Sequence, residues 1–315
     1  METSTLRGKH LSARPGMESG AAFIDGEVVP IGEAKISILD TGFSRSDVTY
    51  DVVGLWEGAF FRLDYHLDRF ERSCRELRMT LPYDRQEIVD ILTELVVASD
   101  LRDSYVEVIC TRGIINPSRD PRTFENRFYA YAVPFVWLLP EDEGEKGMEA
   151  IIARTVERIS PRAIDPTVKN FHWGDLNKAL YEAYDRGARY PILLNAEGNV
   201  TEGAGYNVFA LIDGRLLTPA SGTLRGGTQK TVIELAEAEG IPTEIRDVPE
   251  AEFRQGEELF STTTAGGVMP ITSLDGEPVG DGKVGPVTRK LRDLYWAAHR
   301  DPRYITPVDY PDAPR

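Results

Sequence analysis

Helix-type and strand-type hydrophobic patterns are interspersed along this chain without a regular strand–helix–strand alternation. Apolar residues recur at helical spacing over residues 64–79 and 228–239, whereas residues 48–56 and 105–112 are rich in branched and aromatic side chains. A regular alternation would favour a doubly wound parallel sheet. Its absence favours an α+β fold.

The length of the chain predicts more than one domain. Its 315 residues exceed the size at which a single hydrophobic core usually keeps growing. Residues 141–147 are charged and contain glycine, which is typical of a linker. We therefore expect an N-terminal arm at 1–20, a smaller α/β domain at 21–140, the linker at 141–147 and a larger domain at 148–315.

The charge balance argues against two classes of partner. The chain has 36 Lys and Arg against 51 Asp and Glu, a formal net charge of −15, and a negative surface repels both nucleic acid and anionic lipid. No apolar stretch is long enough to span a bilayer. Cys74 and Cys110 lie in apolar patterns and are expected to be core residues without a disulfide, which favours a cytoplasmic location.

Short-range signals place several elements. Asp25-Gly26 between apolar residues predicts a β-hairpin, and residues 36–39 have strand-like composition. Asp84 followed by Glu87 predicts a capping box at the start of a helix.

Lys169 is the first candidate for chemistry. It is one of eight lysines, and it alone has neighbours such as Val168, Phe171 and Trp173. Partial burial would disfavour the ammonium form, as a lysine that attacks a carbonyl group requires. The alternative is an ordinary lysine whose stem packs on aromatic rings while its charge reaches solvent.

Two further segments could bind phosphate. Residues 224–228 carry two glycines and run into a predicted helix, whose free N–H groups would attract an anion. Residues 261–267 combine hydroxyl groups and glycines, which can form an anion-binding nest. The alternatives are a flexible loop with Thr228 as helix cap, and a strand edge that turns into a loop.

Glu202, within residues 201–207, completes the set. A carboxylate that keeps a pyridine nitrogen protonated makes the ring an electron acceptor, although a glutamate in a turn is more often solvent-facing. A carbonyl-binding lysine, two anion sites and a ring-facing carboxylate are complementary parts of one cofactor site.

Five motifs carry a resemblance to a known family. They are Ser46-Asp-Val-Thr-Tyr-Asp-Val52, Phe61-Arg-Leu-Asp-Tyr-His-Leu-Asp-Arg69, Val168-Lys-Asn-Phe-His-Trp-Gly-Asp175, Thr201-Glu-Gly-Ala-Gly-Tyr-Asn207 and Thr263-Thr-Ala-Gly-Gly267. The chain resembles the fold-type IV pyridoxal-phosphate enzymes, and these motifs are most similar to the (R)-selective amine transaminases.

The resemblance implies roles for individual residues. Lys169 would form the Schiff base with pyridoxal 5′-phosphate and later carry a proton. The implied cofactor-binding residues are Arg69, Lys169, Glu202, Gly227, Thr228, Thr263 and Thr264. The implied substrate-binding residues are Arg45, Tyr50, Val52, Tyr105, Glu107, Arg119, Trp173 and Ala265. No metal site is expected.

The resemblance also implies an architecture. Family members have a smaller N-terminal α/β domain and a larger C-terminal domain, with the cofactor between them, and a homodimer completes their substrate pockets. We therefore expect a two-domain α+β homodimer.

The chain departs from the family pattern in three places. Arg45 stands where (R)-amine transaminases commonly carry histidine, and an arginine could favour a donor with a carboxylate. Gly227 and Gln229 replace a branched and a basic residue beside the phosphate-binding threonine. The polar loop at 113–126 also differs from that of family members in length and sequence, and its Arg119 is a candidate for a mobile cation that meets the carboxylate of a keto acid.

The main hypothesis is a transaminase that moves an amino group from an (R)-amine or D-configured donor to an α-keto acid such as pyruvate. The alternatives are a branched-chain L-amino acid aminotransferase and, after it, an aminodeoxychorismate-lyase-like enzyme. A non-enzymatic binding protein of the same fold would require the loss of Lys169 or Glu202, and both are present.

Overall fold

A computed structural model of the chain describes residues 19–311. All but the last two residues of the predicted N-terminal arm lie outside that range. The strands are β1 (Ala21–Ile24), β2 (Glu27–Pro30), β3 (Val48–Trp56), β4 (Ala59–Phe61), β5 (Ser104–Thr111), β6 (Arg127–Pro134), β7 (Met148–Ile152), β8 (Tyr190–Leu194), β9 (Asn199–Gly203), β10 (Tyr206–Ile212), β11 (Arg215–Pro219), β12 (Thr243–Arg246), β13 (Val248–Pro249), β14 (Glu258–Thr263), β15 (Gly267–Leu274), β16 (Glu277–Pro278) and β17 (Ile305–Pro307). The α-helices are α1 (Thr41–Arg45), α2 (Leu63–Glu76), α3 (Arg85–Ala98), α4 (Gly174–Asp185), α5 (Gly227–Ala238), α6 (Glu250–Phe253) and α7 (Pro286–Ala298).

The described chain forms two compact units. The first unit contains residues 19–136, Lys169–Phe171 and 301–311, and the second contains 137–168 and 172–300. The predicted linker, residues 141–147, lies inside the second unit, where Glu141–Glu143 form a 3₁₀-helix. Residues 301–311 belong to the first unit rather than to the larger domain, because β17 pairs with β4.

The first unit is built on an antiparallel sheet of seven strands in the order β17-β4-β3-β5-β6-β1-β2. One face of the sheet packs against the apolar sides of α2 and α3. This core contains Leu67 and Phe70 of α2, Ile91 and Leu95 of α3, and Val106 of β5. Because side chains alternate along a strand, every second residue of β3 and β5 points to the opposite face.

That opposite face of the first unit carries predicted site residues in register. Tyr50 pairs with Ile109, and Val52 pairs with Glu107 on the neighbouring strand. Glu107 in turn pairs with Tyr131 of β6. Cross-strand partners lie side by side on one face of a sheet, so Val52, Glu107 and Tyr131 are direct neighbours.

The second unit is built on a ten-stranded mixed sheet that closes on itself. Strand β9 pairs with both β8 and β10, so β10, β14, β15, β7, β8 and β9 form a ring. Apolar residues of these strands, including Met148, Ile192, Val208 and Ile271, form the core.

Several local predictions can be compared with the structure. Asp25 and Gly26 both have positive φ, 51° and 87°, in the turn that joins β1 to β2, as the hairpin prediction requires. The capping box of Asp84 and Glu87 is present at the start of α3. Both predictions are confirmed, and so is the α+β class.

The predicted strand at residues 36–39 is wrong. These residues form no strand, and Ile36, Ile38 and Leu39 are 45%, 75% and 56% exposed. A strand needs a neighbouring strand that offers a series of backbone hydrogen bonds, and apolar composition alone does not provide one. Within the described residues, the strand-type pairing near this segment is a single bridge from Asp40 to Ile114.

Two further expectations concern the cysteines and membrane-spanning helices. Cys74 and Cys110 are free and buried, as predicted. Among residues 19–311, no helix has the length and apolar character needed to cross a membrane.

Candidate active site

The predicted site residues are distributed over both units. The first unit holds Arg45, Tyr50, Val52, Arg69, Tyr105, Glu107, Arg119 and Lys169. The second unit holds Trp173, Glu202, Gly227, Thr228, Thr263, Thr264 and Ala265.

Lys169 is fixed against strand β3. Its carbonyl oxygen accepts hydrogen bonds from the N–H of Tyr50 at 3.2 Å and from Oγ1 of Thr49 at 2.7 Å. Its Nζ lies 4.2 Å from the centroid of the Tyr50 ring, and Phe171 packs on the same ring with centroids 4.6 Å apart. Lys169 is half-buried, and its amino group lies over the ring of Tyr50.

Glu107 is a buried carboxyl group on the same face of this sheet. The Tyr131 hydroxyl donates to its Oε2 at 2.8 Å. Burial raises the pKa of Glu107 to about 7, against the opposing effects of the Tyr131 hydrogen bond and the Lys169 ammonium. Tyr105, also in β5, has its pKa raised by burial and by Glu107. Near neutral pH the protonated and ionised forms of this carboxyl group are therefore both populated.

Arg69 belongs to a buried ion-pair cluster with Asp51 and His66. Its Nε and Nη2 donate to Asp51 at 2.6 and 2.7 Å, and His66 Nδ1 lies 2.8 Å from Asp51 Oδ1. Burial alone would raise the pKa of Asp51, but Arg69 and His66 outweigh it and hold that pKa below its ordinary value. Asp51 thus fixes one edge of the Arg69 guanidinium.

The two distinctive arginines are both exposed. Arg45 ends the short helix α1, and Arg119 lies in the loop after β5 with φ of 57°. Within the described residues, neither guanidinium takes part in an ion pair. In contrast, Arg122 of the same loop is paired with Asp120 at 2.6 Å.

A cavity of about 400 Å³ lies within the first unit. Its lining is mostly apolar and includes Ile24, Ile31, Phe43 and Ile109. Tyr131 and Phe171 also line it, and these two residues contact Glu107 and Tyr50 respectively. The cavity therefore adjoins the surroundings of Lys169.

Glu202 is held by donors on both carboxylate oxygens. Arg158 Nε donates to Oε1 at 3.0 Å, while the N–H of Leu224 and the hydroxyl of Thr223 donate to Oε2 at 2.9 and 3.1 Å. Burial raises the pKa of Glu202, and Arg158 is the largest opposing influence. Glu202 is buried in strand β9 and is not the solvent-facing turn residue of the alternative.

The predicted phosphate site at residues 224–228 is the N-terminus of α5. The helix begins at Gly227, so Thr228 is its second residue and not its cap. The Thr228 hydroxyl lies 3.2 Å from the hydroxyl of Tyr295. Gln229, which replaces the basic family residue, turns inward and donates to Thr218 Oγ1 at 2.9 Å.

The hydroxyl-rich segment forms the turn between β14 and β15. Thr263 is the last residue of β14, and its Oγ1 accepts from the N–H of Ala265 at 3.3 Å. Gly267 has φ of 70°, and a Cβ there would lie 2.7 Å from the Tyr295 ring. The turn therefore lies directly beside α7 and requires glycine at that position.

Several residues of these clusters are not evident from the sequence. Asp51 and Asp175 lie inside the quoted motifs, but their partners are not neighbours in sequence. Arg158 has no local signal, because its contact with Glu202 spans 44 residues. Only the folded chain brings such groups together.

Comparison with known proteins gives a consistent result. Residues 49–274 match the family model described as amino-transferase class IV. The chain is 30% identical over 276 residues to a putative branched-chain-amino-acid aminotransferase of Methanocaldococcus jannaschii, covering 87% of this chain and 94% of that protein. It is 32% identical over 273 residues to a D-alanine aminotransferase of Staphylococcus haemolyticus, covering 86% and 95%.

Among solved structures, the chain is similar to the branched-chain amino acid aminotransferase of Thermobaculum terrenum in its PLP form. The TM-score is 0.82 at 29% identity, and the match covers 93% of this chain and 99% of the other.

Proposed function

The chain belongs to amino-transferase class IV, and we propose that it moves an amino group from an (R)-amine or D-configured donor to an α-keto acid such as pyruvate. The position of Lys169 carries this proposal: its amino group lies over the Tyr50 ring, on a sheet face that also presents the buried carboxyl group of Glu107.

The cofactor of this family of enzymes is pyridoxal 5′-phosphate, and the donor set of the chain fits it. The cofactor supplies an aldehyde that reacts with amines and a pyridine ring that accepts electrons. Lys169 would bind the aldehyde carbon, and Glu202 the ring nitrogen. Arg69, the first N–H groups of α5 at Gly227 and Thr228, and the hydroxyls of Thr263 and Thr264 would bind the phosphate.

Three residues of the chain would handle protons and charge. Lys169 Nζ would take the proton from the Cα of the donor and deliver a proton to the acceptor in the second half of the reaction. Glu202 would hold a proton on the ring nitrogen, because a buried carboxylate stabilises a cation beside it. Asp51 would keep Arg69 oriented, since it binds one edge of the guanidinium.

The donor class is supported by the surroundings of Lys169. A carboxylate on the donor would be repelled by an ionised Glu107, whereas an uncharged substituent would not be. The adjoining cavity of about 400 Å³ is mostly apolar and suits an aromatic or aliphatic group. Within the proposed donor class, both features favour an (R)-amine with one bulky apolar substituent over a D-amino acid.

A branched-chain L-amino acid donor is the rival, because relatives with that name are similar over almost the whole chain. A panel decides between them. The purified holoenzyme is assayed with pyruvate and each of (R)- and (S)-1-phenylethylamine, D- and L-alanine, and L-leucine. We expect (R)-1-phenylethylamine to give the highest kcat/KM. A preference for D-alanine would contradict the argument from Glu107 and the cavity, and a preference for L-leucine would exclude the proposal.

We also propose that the protein acts as a cytoplasmic homodimer. Ile36, Ile38, Leu39 and Phe43 are large apolar side chains, between 45% and 75% exposed, within eight residues of sequence. A second copy would remove such a patch from water. Sedimentation equilibrium should give twice the mass of the 35.2 kDa chain, and a monomer would contradict this.

A further inference from the structure

Arg158 lies between two carboxylates inside the second unit. Its side chain is 7% exposed; Nε donates to Glu202 Oε1 at 3.0 Å, and Nη2 lies 2.9 Å from the same oxygen. Nη1 donates to Asp175 Oδ2 at 2.5 Å. One guanidinium thus joins strand β9 to the first turn of α4.

The backbone around Arg158 is fixed by the same elements. The N–H of Arg158 donates to the carbonyl of Leu194 at the end of β8, at 2.8 Å. The next N–H, of Ile159, donates to Asp175 Oδ2 at 2.7 Å. A guanidinium on a fixed backbone loses little further freedom when it binds a carboxylate, so its planar geometry is transmitted to Glu202.

The opposite oxygen of Glu202 is also fixed. Thr223, which donates to Oε2, accepts a hydrogen bond from Asn207 Nδ2 at 2.7 Å. A buried carboxylate without a charged partner tends to take up a proton and become neutral. Arg158 is the cation in direct contact with Glu202 within the described chain, so the charge of Glu202 depends on it.

We propose that Arg158 is a positioning residue for Glu202, which keeps this carboxylate ionised and aligned toward the ring nitrogen of the cofactor. Asp175 holds the Nη1 edge of the same guanidinium, so that Arg158 faces Glu202 in a fixed orientation. An ionised Glu202 then leaves the proton that the two groups share on the ring nitrogen. The inference rests on the role proposed above for Glu202.

The test follows the ring nitrogen itself. The holoenzyme is reconstituted with pyridoxal 5′-phosphate labelled with ¹⁵N in the ring, and the ¹⁵N chemical shift is recorded against pH. The variants are Arg158→Gln and Arg158→Lys. Arg186→Gln is the matched control. Like Arg158, Arg186 pairs with two carboxylates, but these belong to Glu182 of α4 and to Asp275, and neither is Glu202.

We expect the ¹⁵N resonance of Arg158→Gln to move toward that of an unprotonated ring nitrogen, because a Glu202 without its cation takes up the proton that the two groups share, and we expect kcat to fall by on the order of 10²-fold. Arg158→Lys should show a smaller change in the same direction, since a lysine keeps the charge but cannot bind both carboxylates in one plane. Arg186→Gln should behave like the wild type. If Arg158→Gln does not fold, Arg158→Lys alone carries the test.

Glu202→Gln distinguishes the role proposed for Arg158 from the role proposed for Glu202. It should move the ¹⁵N resonance, and Arg158→Gln should have no further effect in a Glu202→Gln background. If Glu202→Gln moves the resonance but every folded Arg158 variant matches Arg186→Gln, the role of Arg158 is wrong. If Glu202→Gln leaves the resonance unchanged, the proposed role of Glu202 is wrong as well.

Discussion

The Nζ atom of Lys169 lies 4.2 Å from the centroid of the Tyr50 ring, and the two residues are also joined by a backbone hydrogen bond from Tyr50 N–H to the Lys169 carbonyl. The second contact fixes where the lysine leaves the backbone, and the first fixes the path of its stem. The Lys169 amino group therefore has a defined position before any ligand is bound, which would lower the entropic cost of the reaction proposed for it.

Replacement of Lys169 should abolish transamination. Lys169→Ala removes the amino group that we propose binds the cofactor and carries the proton, so we expect a loss of on the order of 10³-fold or more in kcat. Lys169→Arg should fail too, because a guanidinium stays protonated. Lys178→Ala, an exposed lysine of α4, is the control and should retain activity. Substantial turnover by either Lys169 variant would exclude the assignment.

Arg69 is expected to contribute chiefly to cofactor affinity. Arg69→Ala should weaken binding of pyridoxal 5′-phosphate by roughly 1.5 to 3 kcal/mol, the value of a charge-assisted hydrogen bond. It also leaves Asp51 buried without its main partner, which should lower stability by about 3 to 5 kcal/mol. Equilibrium dialysis gives the cofactor Kd, and denaturant unfolding of the cofactor-free protein gives the stability.

The double variant Asp51→Asn/Arg69→Ala distinguishes these two effects. Removal of the Asp51 carboxylate, which is buried and unpaired with Arg69 in the single variant, should restore part of the stability, while cofactor binding stays weak. An unchanged Kd in both variants would mean that Arg69 has only a structural role.

The sequence predicted those features that depend on neighbouring residues. The hairpin turn at Asp25-Gly26 and the capping box of Asp84 and Glu87 are set by local backbone chemistry, and both are present. The family motifs predict Lys169 and Glu202 as site residues. The charged partner of Glu202 could not be predicted, because Arg158 follows β7 and lies next to Glu202 of β9 only in a fold where β8 pairs with both strands.

The segment at residues 36–39 shows the opposite limit. Its composition suits a strand, but a strand forms only where a neighbour offers hydrogen bonds, and composition does not contain that information. The same applies to the two units, whose membership depends on β17 returning to β4 from the far end of the sequence.

Glu107 should make the stability of the cofactor-free protein depend on pH. Its pKa is about 7 in the folded chain against an ordinary 4.5. Between these values the native state binds more protons than the unfolded state, so stability should fall as pH rises from 4.5 to 7 and stay lower above 7. Thermal unfolding at a series of pH values measures this.

Glu107→Gln tests the cause of that dependence. The amide cannot ionise, so the fall in Tm across this window should become smaller. Glu157→Gln, at an exposed position, should leave the wild-type dependence unchanged. An equal slope in wild type and Glu107→Gln would show that other groups are responsible.

Variants of Arg119 and Arg45 should affect different halves of the reaction. An active site that accepts an uncharged substituent in one half and a keto-acid carboxylate in the other needs a cation that can enter and leave. Arg119 lies in the loop after β5, is exposed, and has no ion-pair partner among residues 19–311; Arg45 ends the short helix α1. Arg119→Ala should therefore raise KM for pyruvate roughly tenfold or more, as expected for one lost charge-assisted hydrogen bond, while the amine half-reaction changes little. Arg45→Ala should instead alter the preference among donors.

Arg122→Ala is the matched control, since Arg122 is exposed in the same loop but already paired with Asp120. Its removal subtracts the same charge from the loop without removing a cation that is available to substrate. Stopped-flow measurement of each half-reaction distinguishes a local contact from a general effect of charge. If Arg122→Ala raises KM for pyruvate as much as Arg119→Ala, net charge is the cause. If Arg119→Ala slows both half-reactions equally, or neither, then Arg119 does not act as a mobile cation, and the carboxylate of the keto acid must be bound by another group.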